Sequence, residues 1–208
     1  MRQFRQTAVF DWSGAAGERH RGIALGLCDE SGAPSLIAPP TDKPWSRAEA
    51  LRWIEAQIER RADMLIGMDV SFGFPFTDSG SFFPGWPASP ADASSLWRAV
   101  DETSAKEPHL GAAPFLDRLD VAAHFRQRGQ LGEHYGEERA GRLRVVEVES
   151  RRQGLANPYS CLNLVGAAQV GKASLTAMRM LNRLSGRIAI CWPIWCGACW
   201  KMGRTLAL

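Results

Sequence analysis

Two short apolar runs, each ending on an aspartate, constrain this chain more than any other feature. Thr7-Ala-Val-Phe-Asp11 leads into Trp-Ser-Gly14, and Met64-Leu-Ile-Gly-Met-Asp69 leads into Val-Ser-Phe-Gly-Phe-Pro75. Each reads as a buried strand that delivers a carboxylate to a turn. A carboxylate there is costly unless something compensates its charge. Two in one domain suit a shared cation, Mg²⁺ or Mn²⁺ held by oxygen ligands, as in an acidic phosphoryl-transfer site. The same placement also serves turn capping, a common role for Asp after a strand.

The 208 residues suffice for one well-buried core, so a single domain over residues 1–208 is expected. Apolar residues make up 45% and charged residues 23%, and the net charge is +3, which argues for neither nucleic acid nor membrane. Arginine, the better phosphate fork, outnumbers lysine 21 to 4. The Arg-rich stretch from Arg118 to Arg152 is interleaved with acids and reads as a solvated face. Polar Met1 to Gln6 leaves no room for a secretory core, and no apolar run spans a bilayer, so a cytoplasmic protein without membrane contact is expected. Cys28, Cys161, Cys191, Cys196 and Cys199, odd in number and without framework spacing, read as reduced thiols.

Closely spaced strands at Thr7–Asp11, Gly22–Cys28 and Ser35–Ala38 predict an antiparallel meander. Ser46-Arg-Ala-Glu49 is a capping box opening a helix over residues 47–60, with Leu51, Ile54 and Ile58 on one face. A strand over Met64–Val70 follows, and the intervening helix permits it to pair in parallel with the first. The expected class is α/β, a mixed sheet of three meander strands and then parallel strands, flanked by helices. Phe72 to Pro90 is a loop dense in aromatics, which either stack bases or pack over the sheet. Helical patches are expected at 91–102 and 115–128, with a polar insert at 129–141 between the second and a strand over Leu143–Val148. Alternation along that strand puts Glu147 and Glu149 on one face. A helix over Lys172–Leu184, with Leu175, Met178, Leu181 and Leu184 on its buried side, precedes a last strand over Arg187–Trp192.

This order of strands, acids and helices resembles the ribonuclease H-like superfamily. Gly73-Phe-Pro75, Leu164-Val-Gly-Ala-Ala-Gln-Val-Gly-Lys-Ala-Ser-Leu175 and Cys191-Trp-Pro193 look like segments of an uncharacterised bacterial group of predicted nucleases with that fold. The resemblance covers about Thr7 to Pro193 and implies a metal-dependent nuclease, or a related phosphoryl-transfer enzyme, acting on nucleic acid. It implies Asp11 and Asp69 as catalytic metal ligands, Glu147 as a third acid, and Glu149 as its competitor for the metal. Ser13 in the turn after Asp11, Arg144 and Lys172 are the candidate substrate contacts, with a solvated-surface role the alternative for Arg144. After Trp192-Pro193 the group's pattern continues with a further acid and strand. Residues 194–208 depart from it and read as an atypical or truncated tail.

That departure sustains a second reading, a non-catalytic or vestigial ribonuclease H-like binding domain. Exposed aromatics in the tail and an open strand edge would favour a homodimer. A third class, an ATP-binding relative of actin and the sugar kinases, shares the strand-Asp-turn opening but uses two domains. Trp195-Cys-Gly-Ala-Cys199 looks like a thioredoxin site, yet nine residues beyond it cannot supply the helix and domain that chemistry needs. Gly166-Ala-Ala-Gln-Val-Gly-Lys172 matches the front of a phosphate-binding loop but puts Ala173 where a Ser or Thr would bind Mg²⁺. His20, His109, His124 and His134 lack ligand spacing and read as core or surface residues.

Overall fold

β1 (Gln6–Asp11) sits inside a four-stranded sheet because its neighbours in sequence and in space arrive from opposite directions. β2 (Ala24–Cys28) pairs with it antiparallel, Thr7 opposite Cys28 and Asp11 opposite Ala24. β3 (Ser35–Leu36), shorter than its sequence suggests, continues the meander on the far side of β2. α1 (Arg47–Glu59) then crosses over and β4 (Met64–Met68) returns parallel to β1, giving the order β3-β2-β1-β4. The structure is a computed structural model that describes residues 4–137, 140–155, 157–166 and 170–188.

α1 begins where its capping box predicts. The Ser46 hydroxyl accepts from the Glu49 N–H at 3.1 Å, and Glu49 Oε2 accepts from the Ser46 N–H at 2.9 Å. Ala50, Leu51 and Ile54 bury one face of α1 against Ala8, Phe10 and Leu25 of the sheet. Pleating turns the alternate residues outward, so Val9 is 51% exposed while its neighbours Ala8 and Phe10 are buried.

Downstream of the sheet lie α2 (Ala93–Thr103), short helices α3 (Ala113–Leu116) and α4 (Leu119–Ala122), and a two-stranded ribbon of β5 (Arg126–Gln127) and β6 (Gln130–Leu131). The helix expected over 115–128 is thus interrupted between α3 and α4 and ends at Ala122, and the polar insert at 129–141 contains β6. α5 (Val145–Arg152) replaces the strand expected at 143–148. The alternation there is not a burial signal, since Val145, Val146 and Val148 are all exposed.

α6 (Gly171–Leu184) is buried almost all round and divides the interior into two apolar clusters. Leu175, Met178 and Leu181 face Phe83, Trp97, Phe115 and Phe125, whereas Ala173, Ala177, Met180 and Leu184 face the sheet. The single buried side read from its leucines is therefore half of the packing, because small Ala residues let the opposite face approach the strands. The aromatic loop after β4 supplies Phe74, Phe82 and Phe83 to the first cluster, which is core packing away from the sheet. Arg142 ties that loop down with bonds to Asp78 and to the carbonyls of Phe82 and Ser81. Of the last strand expected over Arg187–Trp192, Arg187 and Ile188 form a turn and a bend, and its remainder with Cys191, like the tail with Cys196 and Cys199, lies outside the described residues.

Candidate functional site

Phe10 is opposite Met68 in the parallel pair, and the Asp69 N–H continues the ladder by donating to the Phe10 carbonyl at 3.0 Å. Asp11 and Asp69 therefore stand side by side at the carboxyl ends of adjacent strands. Phe10 turns inward, so alternation sends Asp11 to the opposite, solvent-facing side, and both aspartates are exposed. Among the described residues neither carboxylate has a hydrogen-bond or ion-pair partner. Also among them, no group of three or more His, Cys, Asp and Glu could hold a metal ion.

The loop after Asp11 is tied down by a residue the sequence does not advertise. Arg47, 1% exposed at the start of α1, donates to the Ser13 carbonyl through Nε at 3.1 Å and Nη2 at 2.9 Å. It also reaches the Ala15 and His109 carbonyls. Among the described residues no carboxylate faces this guanidinium, and burial followed by repulsion from Arg179 pulls its pKa down to about 10. His20, buried beside it, is also shifted down, first by desolvation and then by Arg47. Backbone carbonyls do the work of a counterion.

Gly14 lies flat against the first turn of α6. A Cβ there would stand 2.3 Å from the Ala173 nitrogen and 2.4 Å from the Lys172 carbonyl carbon. The Ser13–Gly14 turn and exposed Lys172 are thus neighbours, as are Trp12 and α6, joined by the Trp12 Nε1 bond to Thr176 at 3.0 Å. Lys172 occupies the second position of α6 and is exposed. The Ser13 hydroxyl accepts from the Ala15 N–H at 3.3 Å, which shapes the turn.

Ser71, two residues past Asp69, is 1% exposed and fully engaged. Its N–H donates to Ser174 Oγ of α6 at 2.8 Å, and its hydroxyl donates to the Gly73 carbonyl at 2.6 Å while accepting from Arg144 Nη1 at 2.5 Å. Glu147 holds Arg144 in turn, accepting from its Nε at 3.0 Å, its Nη2 at 2.7 Å and its backbone N–H at 2.7 Å. Burial pulls the Arg144 pKa down, yet the electrostatic influence of Cys161 and its bonds to Glu147 leave it raised overall. Cys161, buried next to this network, has its thiol pushed up to about 12 by desolvation and is an inert packing group.

The sequence-selected residues divide accordingly. Asp11 and Asp69 end adjacent strands on the exposed side, whereas the Ser13–Gly14 turn meets the first turn of α6, with Lys172, on the side that Phe10 and Trp12 cover. Glu147 reaches the stretch after Asp69 only through Arg144 and Ser71, and both its oxygens are occupied. Glu149 is not on its face, because two residues along a helix turn a side chain by about 200°. It pairs instead with Arg152 at 2.6 Å and with Gln153, contacts that lower its pKa to about 2. Ser71, Ser174 and Arg47 were missed. A serine two places beyond a strand-end Asp is a usable signal in hindsight, whereas nothing local marks Arg47.

A shallow cleft of about 420 Å³ flanks Arg144 and Glu147, lined by Val146, Ser150, Tyr159 and Val170. His124 and His134 stack with ring centroids 5.0 Å apart, and His124 also packs against Phe83. Among the described residues no helix is long and apolar enough to cross a membrane. Comparison with protein-family models, with curated proteins and with solved structures gave no match.

Proposed function

We propose that the chain is a ribonuclease H-like, divalent-metal-dependent phosphoryl-transfer enzyme whose substrate is nucleic acid, with Asp11 and Asp69 as the metal-binding pair. The observation that carries this reading is the in-register parallel pairing of β1 and β4, which sets Asp11 beside Asp69 at the ends of adjacent strands, neither side chain partnered among the described residues. Mg²⁺ needs no larger protein donor set, since it is commonly held by one or two carboxylates plus waters and substrate phosphates. Bound there, the metal would polarise the scissile phosphate and lower the pKa of a coordinated water. Asp11 and Asp69 would fix its position, and the Lys172 ammonium would meet the phosphate. The Arg47-braced turn at Ser13 would keep the first carboxylate from drifting.

Manganese titration tests this directly. Ligand at about 100 times its Kd stabilises a native state by about 2.7 kcal/mol, which is about 5–10 °C in Tm for a domain of this size. Wild type should show that shift with Mn²⁺, Asp11→Asn and Asp69→Asn should not, and the same variants should lose Mg²⁺-dependent cleavage of a nucleic-acid panel. A second reading, a non-catalytic binding domain, is favoured by the commitment of Glu147 to Arg144, which removes the expected third acid. A wild-type protein that neither responds to Mn²⁺ nor cleaves would decide for it.

A further inference from the structure

Three consecutive residues of the aromatic segment after β4 are gripped by two histidines. The His124 ring packs edge-on against Phe83 with centroids 5.3 Å apart, and it also meets the Pro84 carbonyl. A Cβ on Gly85 would stand 3.5 Å from His134 Nε2, and the His134 ring lies 5.0 Å from that of His124. Trp86 follows, with the Arg118 guanidinium 4.7 Å over its ring. Residues 71–92 contain neither helix nor strand, so no ladder of backbone bonds fixes this stretch and side chains must hold it. His124 is 1% exposed, and its Nδ1 is buried with no hydrogen-bond partner among the described residues. A neutral ring leaves only a lone pair or one N–H unmatched, but both nitrogens of an imidazolium donate, and a buried charge without acceptors is costly.

We propose that His124 and His134 form an acid-operated latch on Phe83–Trp86, holding the segment against the aromatic core when neutral and releasing it when protonated. The latch is independent of the metal site proposed above. Charged groups meet His124 from several sides. His134, just past β6, and Arg142, ahead of α5, oppose a proton on it, whereas the Pro84 carbonyl and Asp120 of α4 favour one. The two nearby carboxylates are already committed, Asp120 to Arg118 at 2.6 Å and Asp78 to Arg142 at 2.8 Å. Burial and the two opposing groups prevail, lowering the His124 pKa to about 4. Lifting Phe83–Trp86 hydrates the ring and returns it toward the ordinary 6.5, so the proton goes preferentially to the open form. Between pH 7 and pH 5 that difference multiplies the open population about 20-fold. Acid thus uncovers the rings of Phe83 and His124, both buried in the closed form.

Hydrogen–deuterium exchange of the full chain at pH 7 and pH 5, corrected for the intrinsic pH dependence of amide exchange, tests the latch. Peptides over Phe82–Pro87 report on the segment and peptides from β1 and α6 on global unfolding, while circular dichroism confirms that each protein compared is folded at both pH values. In wild type, opening at Phe82–Pro87 should rise about 20-fold at pH 5, with β1 and α6 exchanging more slowly than the segment throughout. His124→Gln, whose side chain does not titrate, should lose the response. His134→Gln, a change at an exposed position that removes one of the two opposing groups, should reduce it. A wild-type segment indifferent to pH, or one that responds equally in His124→Gln, overturns the latch. Exchange of Phe82–Pro87 in step with β1 and α6 also overturns it, because the opening is then global. Should His124→Gln not fold, His134→Gln decides: an undiminished response there refutes the pairing of the two histidines.

Discussion

Glu147→Ala should cost about 3 kcal/mol of folding stability. Glu147 is 6% exposed and accepts three hydrogen bonds, all from Arg144. The backbone one closes the first turn of α5, and losing a bond of that kind costs about 1 kcal/mol. The other two form a charge-assisted fork, and bonds to charged groups contribute about 1.5–3 kcal/mol each. The Arg144 side chain is 29% exposed, so water recovers part of what the fork loses, and about 2 kcal/mol for the two together is the defensible figure. The total agrees with the about 3–5 kcal/mol seen when one member of a buried pair is removed. Urea denaturation at pH 7 measures it directly, and Tm should fall by about 6–12 °C. Arg144→Met should lose a comparable amount, because it strands Glu147 as a buried anion. The Arg144→Met/Glu147→Met double variant removes both charges and should sit closer to wild type than the summed losses, with a coupling near the top of the about 0.5–3 kcal/mol range for contacting residues. A loss under about 1 kcal/mol for Glu147→Ala, or strictly additive losses in the cycle, would refute the account of a closed, charge-compensated network.

Acid lability should trace to His124. Desolvation, then repulsion from His134 and Arg142, lowers its pKa from 6.5 to about 4, so the unfolded chain binds the proton more tightly than the native one. Stability is then lost as pH falls from about 6.5 toward 4, with about 2 kcal/mol gone by pH 5, and His124→Gln should flatten that slope in urea midpoints taken at pH 7 and 5. Gly14→Ala should destabilise by about 2 kcal/mol or more, since its methyl meets the backbone of α6 and not a side chain that can move aside. A Tm within 2 °C of wild type, at about 2–4 °C per kcal/mol, would show that the turn and helix are not in contact. Phe83→Ala, which empties a fully buried site among Phe74, Phe115 and Phe125, should cost about 3–5 kcal/mol by thermal or urea unfolding.

Local pattern carried the sheet and half of the candidate site. The strand-Asp-turn runs, the meander spacing and the Ser46–Glu49 box are short-range signals, because a strand, a tight turn and a cap are each decided within a few residues. α1 then leaves β4 one natural partner, and parallel pairing with β1 follows from the length of the crossover. The juxtaposition of Asp11 and Asp69 was legible for that reason. α5 was not, because Leu143 to Val148 alternates as a strand does while its valines point to solvent, and the helix is held by a Glu147–Arg144 contact.

The chain's own order of residues determined which two aspartates end adjacent strands and where the first helix starts, since both depend on contacts near in sequence or forced by connectivity. Only the tertiary structure decided what braces the turns that follow those strands. Arg47 reaches Ser13 across 34 residues, Arg144 reaches Ser71 across 73, and Ser174 reaches Ser71 across 103. Such partners are selected by packing, where a buried donor must find an acceptor wherever the fold supplies one. A serine or arginine looks the same in sequence whether it faces water or braces a site, and burial alone distinguishes the two.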